Sequence, residues 1–254
     1  MKPFNRRYAL VLVLTVALVA SFTTNILTSF RSQLYLDLYQ QVILDPMGMD
    51  YYLPRDKPEV PQGKELVVLL GDSRALVWPA PDSDRFVFAN RGVSGQTSAQ
   101  VLGRFADDIY PLHPDIIIIQ VGVNDLTAIP AFPNHQARIL ARCKENIREL
   151  TGQAAALDAT VILTTIFPVG KSIFPWEAAE IAEVASAVEE VNQFIHSLAG
   201  EHVIVMDTGE ILADSNGYLK PEFSQDTVHL NERGYQALNV ALSSILESIP
   251  DGGQ

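Results

Sequence analysis

Ile116-Ile-Ile-Ile-Gln-Val121 is nearly all apolar and mostly β-branched. A strand with one face in water alternates apolar and polar residues; a strand buried on both faces does not. This run therefore predicts a central strand covered on both sides, which in turn requires a largely parallel sheet between two layers of helices. The rest of the chain supplies the parts. Leu66–Leu70, Arg85–Ala89, Thr160–Phe167 and His202–Met206 are further short apolar runs. Thr97–Tyr110, Gln136–Leu157, Trp176–Leu198 and Glu232–Ile249 carry helical spacing, the last with Asn231 as its N-cap. Five strand candidates, mostly separated by helices, predict an α/β fold, a three-layer α/β/α sandwich around a five-stranded parallel sheet. No internal repeat or low-complexity segment interrupts the pattern.

The start of the chain follows another rule. Lys2, Arg6 and Arg7 precede an uncharged run from Tyr8 to Phe30, long enough to span a bilayer as a helix. Two readings compete. A signal peptide has a basic start, a short apolar core and small residues at the cut, and Val19-Ala20-Ser21 would roughly serve. An uncleaved anchor fits the full length and the lack of a clean Ala-x-Ala site, and is favoured. Both place the following domain on the far side of the membrane, with the basic start held in the cytoplasm. Residues 1–31 are thus read as membrane anchor or signal peptide. Residues 32–63 hold an amphipathic stretch, Ser32–Leu44, and then a linker rich in proline and glycine. Residues 64–250 form the globular domain.

Composition limits the partners. All 30 acidic side chains follow Arg31, and the net charge is -12. A domain so acidic repels phosphate backbones, which argues against nucleic acid. The single cysteine, Cys143, excludes an intrachain disulfide and a cysteine-rich metal site, and reads as a small core residue.

Chemistry concentrates where strands end. Gly71-Asp-Ser73 follows the first strand candidate. Asn90-Arg-Gly-Val-Ser-Gly95-Gln-Thr follows the second, and Gly122-Val-Asn124-Asp125 the third. In a parallel sheet such turns lie side by side at one edge, where ligands bind. They would offer a hydroxyl, backbone N–H groups beside glycine, and one amide side chain to a single point. That is the outline of an oxyanion hole. A hydroxyl also needs a base. His229 is the best placed, in Asp226-Thr-Val-His229, where one turn aims the Asp226 carboxylate at the imidazole. His113, His135, His196 and His202 read as solvated or structurally satisfied.

These residues resemble the SGNH hydrolases, also called the GDSL esterase/lipase family. The resemblance runs from about Leu66 to Tyr235, with four blocks in order: Gly71-Asp72-Ser73, Gly92-Val-Ser-Gly95-Gln-Thr, Gly122-x-Asn124-Asp125 and Asp226-x-x-His229. It implies a flavodoxin-like arrangement of the sandwich. Ser73 would be the nucleophile and His229 the base, oriented by Asp226. The Ser73 and Gly95 amides and the Asn124 side chain would form the oxyanion hole. No metal or organic cofactor is implied. The family commonly has leucine after Gly-Asp-Ser; here Arg74 stands, read either as facing an anionic substrate group or as a surface residue paired with Asp82 or Asp84. Trp78 either lines the cleft or packs under Pro79–Pro81.

Competing chemistries fit less well. No Gly-x-Ser-x-Gly elbow, Walker loop or Rossmann glycine pattern follows a strand, and Ser94 has a poorer claim than Ser73. Asp207, Glu210 and Asp214 read as a solvated loop rather than a metal site. The expected function is a membrane-tethered, extracytoplasmic serine esterase acting on a lysophospholipid or other acyl ester through an acyl enzyme. A carbohydrate O-acetylesterase or acyltransferase of the cell envelope is the near alternative. A non-catalytic binding domain is the alternative of another class.

Overall fold

A computed structural model describes residues 6–47, 57–172 and 174–250. The chain divides into two compact units, Met1–Asp50 and Tyr51–Gln254.

The first unit holds one helix, α1 (Arg6–Leu44). It runs unbroken through Arg31 and Ser32, where the sequence suggested a boundary. Its large apolar side chains are exposed by 40–82%, and its most apolar window has a mean hydropathy of 2.2. The hydroxyls of Thr15, Thr23 and Thr24 donate to the carbonyls four residues earlier, each at 2.9 Å. Those three hydroxyls are thereby satisfied within the helix itself. Of the linker expected at Asp45–Lys64, residues 48–56 lie outside the described residues. Lys57–Lys64 has neither helix nor strand.

The second unit is an open, wholly parallel sheet. Its strands are β1 (Glu65–Gly71), β2 (Phe86–Gly92), β3 (Ile116–Gln120), β4 (Thr160–Thr164) and β5 (Val203–Met206), in the order β2-β1-β3-β4-β5. The helices are α2 (Ser73–Leu76), α3 (Ser98–Gly103), α4 (Phe105–Ile109), α5 (Val123–Leu126), α6 (Gln136–Ala155), α7 (Ala178–His196), α8 (Thr208–Leu212) and α9 (Glu232–Ser248). β-branched runs favour strands because their side chains pack well on a pleated surface. Val67, Leu69, Ile116, Ile118 and Ile162 turn to one face, against Leu238, Leu242 and Leu246 of α9. Val68, Leu70, Ile117, Ile119 and Val161 turn to the other, against Val101, Ile147 and Val191 of α3, α6 and α7. Each such side chain contributes about 1.5–3 kcal/mol on burial.

Two elements differ from the sequence reading. The helix expected over Thr97–Tyr110 breaks at Arg104, between Gly103 and Phe105. Gly103 weakens the helix there, and the Arg104 side chain turns inward to donate to the Gly71 carbonyl at 2.9 Å. β4 ends at Thr164; beyond it, Asn192 takes the place of a neighbouring strand, bonding both the N–H and the carbonyl of Ile166 at 2.7 and 2.9 Å.

The chain leaves β1 for β2 and then returns past β1 to β3, so the winding direction reverses between β1 and β3. A crevice opens at such a switch point, outside the carboxyl ends of the strands. The register levels the strand ends there, with Gly71 opposite both Gly92 and Gln120.

Candidate active site

Gly71 brings β1 against β3 so closely that a Cβ on it would lie 1.8 Å from the Gln120 carbonyl oxygen. No other residue fits. The chain then turns. Asp72 caps α2 by accepting the Arg74 N–H at 2.9 Å, and Ser73 opens the helix with 7% exposure. Its Oγ lies 3.0 Å from His229 Nε2. The loop before α9 presents that imidazole. Asp226 Oδ1 accepts the Val228 and His229 N–H groups at 2.7 Å each, and Oδ2 meets His229 Nδ1 at 2.9 Å. With Nδ1–H donating to the carboxylate, the Nε2 lone pair points at the Ser73 hydroxyl, so the chain of bonds can draw a proton from it. Partial burial works to raise the Asp226 pKa, but the His229 and Val228 N–H bonds and the imidazole prevail and hold it below the usual carboxylate range.

The second and third turns are locked together. Gly95 has φ +75°, a left-handed conformation that favours glycine, and is exposed at the crevice. Asn124 Nδ2 donates to the Gln96 carbonyl at 2.9 Å, which occupies one of its two amide hydrogens and leaves the other. The neighbouring Asp125 carboxylate accepts the N–H and hydroxyl of Ser98, whose Oγ also accepts Asn146 Nδ2 at 2.9 Å. Arg104 Nε donates to Gln96 Oε1 at 2.6 Å, and its Nη1 pairs with Asp108. A buried arginine thus connects the first turn to the second.

Arg74 corrects the sequence reading. It is 0% exposed, so it neither faces substrate nor pairs with Asp82 or Asp84. Its Nε donates to the Val228 carbonyl at 2.8 Å and its Nη1 to the Phe167 carbonyl at 2.9 Å. Burial lowers its pKa to about 10, against the attraction of Asp72; burial raises that of Asp72 to about 6, against the attraction of Arg74. Trp78 packs edge-on against Phe167, with ring centroids 5.7 Å apart, and its indole N–H donates to Asn239 Oδ1 at 2.7 Å. It lies beside Pro79–Pro81 and away from the cleft around Ser73.

Two cavities adjoin these groups. One of about 520 Å³ is lined by Ser73, Leu76, Val77, Ser94, His229 and Tyr235, among others. The second, about 410 Å³, begins at Asn124 and is mostly apolar, with Ala99, Ala128, Phe132 and Ile139 in its walls and Arg138 and Arg142 beside them. A larger cavity of about 660 Å³ lies between α7 and α8 and shares no wall with Ser73 or Asn124. There the fold brings His196 to Asp207, 3.0 Å apart, a proximity invisible in the sequence. Asp207 is also the N-cap of α8, and Asp214 pairs with Lys171 at 2.8 Å. Among the described residues no cluster of three metal-ligating side chains occurs.

Sequence reasoning missed Arg74, Arg104, Gln96 and Asp125 as parts of the frame. Arg104 left a trace: it stands between Val101 and Phe105 on the face that should be apolar.

The sequence model of the GDSL-like Lipase/Acylhydrolase family matches residues 70–237. None of the curated proteins matches the chain. Among solved structures, a Streptococcus pneumonia protein provisionally named a platelet activating factor is 22% identical, with a TM-score of 0.66 over 84% of this chain and 99% of that one. A GDSL-like lipase from Bacteroides thetaiotaomicron is 22% identical, with a TM-score of 0.55 over 76% and 91%. A catalytic mutant of an acetylxylan esterase from Geobacillus stearothermophilus is 18% identical, with a TM-score of 0.52 over 73% and 95%.

Proposed function

Because this chain belongs to the GDSL-like lipase/acylhydrolase family and is an ester-hydrolysing serine hydrolase, we propose that Ser73 is its nucleophile, His229 its general base and Asp226 the group that orients His229. The observation that carries this reading is the unbroken relay from Ser73 Oγ to His229 Nε2 at 3.0 Å, and from His229 Nδ1 to Asp226 Oδ2 at 2.9 Å.

Ser73 Oγ attacks the ester carbonyl as Nε2 takes its proton. The Ser73 and Gly95 N–H groups and the remaining Asn124 amide hydrogen stabilise the tetrahedral oxyanion. His229 returns the proton to the departing alcohol. A water, deprotonated by the same imidazole, then releases the acid and restores Ser73.

The substrate is a lysophospholipid or another acyl ester. The apolar cavity beside Asn124 supports an acyl chain, since an acetyl group would need no such volume, and Arg138 and Arg142 there suit an anionic head group. Residues 1–31 anchor the enzyme in the membrane, 32–63 extend from it, and 64–250 form the extracytoplasmic catalytic domain. The apolar, exposed α1 supports the anchor. Ser73→Ala should abolish both turnover of a short-chain p-nitrophenyl ester and labelling by a fluorophosphonate; retained turnover would overturn the assignment. Hydrolysis profiled across acyl chain length and acetylated sugars tests the substrate: a peak at acetyl would replace the acyl-ester reading.

A further inference from the structure

The residue after Ser73 takes no part in the proton relay, yet it is among the largest fully buried side chains of the protein. Burying a guanidinium is costly even when paired. Here the pairing is incomplete: Arg74 Nη2 and Asp72 Oδ2 have no hydrogen-bond partner among the described residues. Leucine, the commoner residue after Gly-Asp-Ser, would avoid that cost. What the arginine gains is a set of contacts that no apolar side chain makes.

Those contacts all reach the segments that carry or support the base. Nε donates to the carbonyl of Val228, the residue before His229, and Nη1 to that of Phe167, just past β4. The Phe167 ring lies 5.3 Å from the guanidinium carbon. Apart from the side chain, the main-chain carbonyl of Arg74 accepts the hydroxyl of Tyr235, on the helix that follows His229, at 3.0 Å. Two adjacent residues of the nucleophile turn therefore bond two adjacent residues of the base loop: Ser73 with His229, and Arg74 with Val228. The Gly170 N–H also holds the neighbouring Thr227 carbonyl at 2.8 Å; the Arg74 bond is the one that ties the loop's register to the nucleophile turn itself. The planar fork of arginine suits this work, because two of its donors reach two carbonyls from one rigid group.

The relay cannot hold itself in place as firmly. The Asp226 side chain is 50% exposed and that of His229 36%. Water competes for exposed pairs of this kind, so they orient weakly.

We propose that Arg74 is a positioning residue, which holds the Val228 carbonyl, and through it the His229 imidazole, in line with the Ser73 hydroxyl. This rests on the roles given above to Ser73 and His229. It assigns Arg74 no contact with substrate.

The test uses the full chain carrying Arg74→Gln, Arg74→Lys or Arg74→Ala, with a short-chain p-nitrophenyl ester, fluorophosphonate labelling rates and thermal melts. A displacement of about 1 Å in a reacting group costs up to ~100-fold in rate. The folded Arg74→Gln protein should therefore lose about 10- to 100-fold in kcat with KM within about twofold of the parent, and its labelling should slow in parallel. Arg74→Lys, which keeps the charge and one reach, should fall between. Guanidinium ion in solution should restore part of the Arg74→Ala rate. If Arg74→Gln fails to fold, Arg74→Lys decides. A folded variant at the parent kcat, or a loss carried wholly by KM, overturns the proposal. Turnover by Ser73→Ala would instead remove the site reading itself. An inactive Ser73→Ala beside a fully active Arg74→Gln removes the positioning role alone.

Discussion

The carboxylate of Asp125 holds Ser98 twice, accepting its backbone N–H at 2.8 Å on Oδ2 and its hydroxyl at 2.6 Å on Oδ1. One side chain so joins the turn after β3 to the start of α3, and with it the Gly95-Gln96 turn. Both proposed oxyanion donors beyond Ser73 depend on that joint. Asp125→Ala leaves the buried Ser98 groups without an acceptor, a loss of about 1–3 kcal/mol. The variant should melt earlier, and its folded fraction should lose kcat more than KM. Asp125→Asn keeps one acceptor oxygen and should do less on both counts. A folded Asp125→Ala enzyme with the parent kcat would show that the joint serves stability alone.

Gly71 and Gly95 should respond differently to the same change. At Gly71, an added Cβ meets the Gln120 carbonyl oxygen at 1.8 Å and Ala75 Cβ at 2.9 Å. Neither strand can yield without breaking the β1–β3 ladder, so Gly71→Ala should not give folded protein. At Gly95 nothing lies within 4 Å of such an atom, but φ is +75°. Gly95→Ala should fold at a cost of about 1–2 kcal/mol for the left-handed backbone. Its turn should relax and its N–H swing off the oxyanion, and kcat should fall by about 100- to 1,000-fold, the cost of one lost donor. Circular dichroism separates the two cases, and kinetics on Gly95→Ala measures the second.

The sheet was legible because its signal is local. Ile116–Val121 can be buried on both faces in few architectures, and the helical periods around it leave one. Ser73 and His229 are 156 residues apart, and only the recurring motif blocks pair them. Arg74 and Arg104 were not legible, because what buries them is distant: the partners of Arg74 are carbonyls 93 and 154 positions away. A charged residue after a turn reads as exposed when its acceptors are backbone oxygens, which every residue carries. The break at Arg104 has the same origin, since the helix yields there to a carbonyl of β1.

Asp72 makes stability depend on pH in a direction unusual for a carboxylate. Burial raises its pKa from 3.8 to about 6, so the native state binds that proton more tightly than the unfolded chain does. The contribution is therefore most favourable at low pH and is lost as pH rises through about 4 to 6, by about 3 kcal/mol in all. Asp72→Asn keeps the cap on the Arg74 N–H and cannot ionise. Relative to the parent it should gain melting temperature at pH 7.5 and gain little at pH 4.5. Equal gains at both values would mean that Asp72 does not titrate between them, and would overturn a pKa near 6.

The proposed membrane tether makes the most accessible prediction. α1 has 39 residues, about 58 Å at 1.5 Å per residue, whereas some 20 residues cross the hydrocarbon core. On the proposed reading, the uncharged run from Tyr8 to Phe30 would lie within the bilayer and Arg31–Leu44 would continue beyond it. That continuation exposes Leu34, Tyr35, Leu38, Tyr39, Val42 and Ile43 along one broad face, with Gln33, Asp37 and Gln40 opposite, a distribution suited to the interface. Full-length protein should stay with membranes through an alkaline carbonate wash. A chain beginning at Lys57 should be soluble and hydrolyse a short-chain ester at the parent kcat, because no residue of the proposed site precedes Gly71. It should lose rate on vesicle-borne lysophospholipid, where the tether supplies proximity. A mature N-terminus near Ser21 in the membrane-free fraction, with none retained in the membrane, would refute the anchor and make α1 a cleaved leader with a trailing amphipathic half.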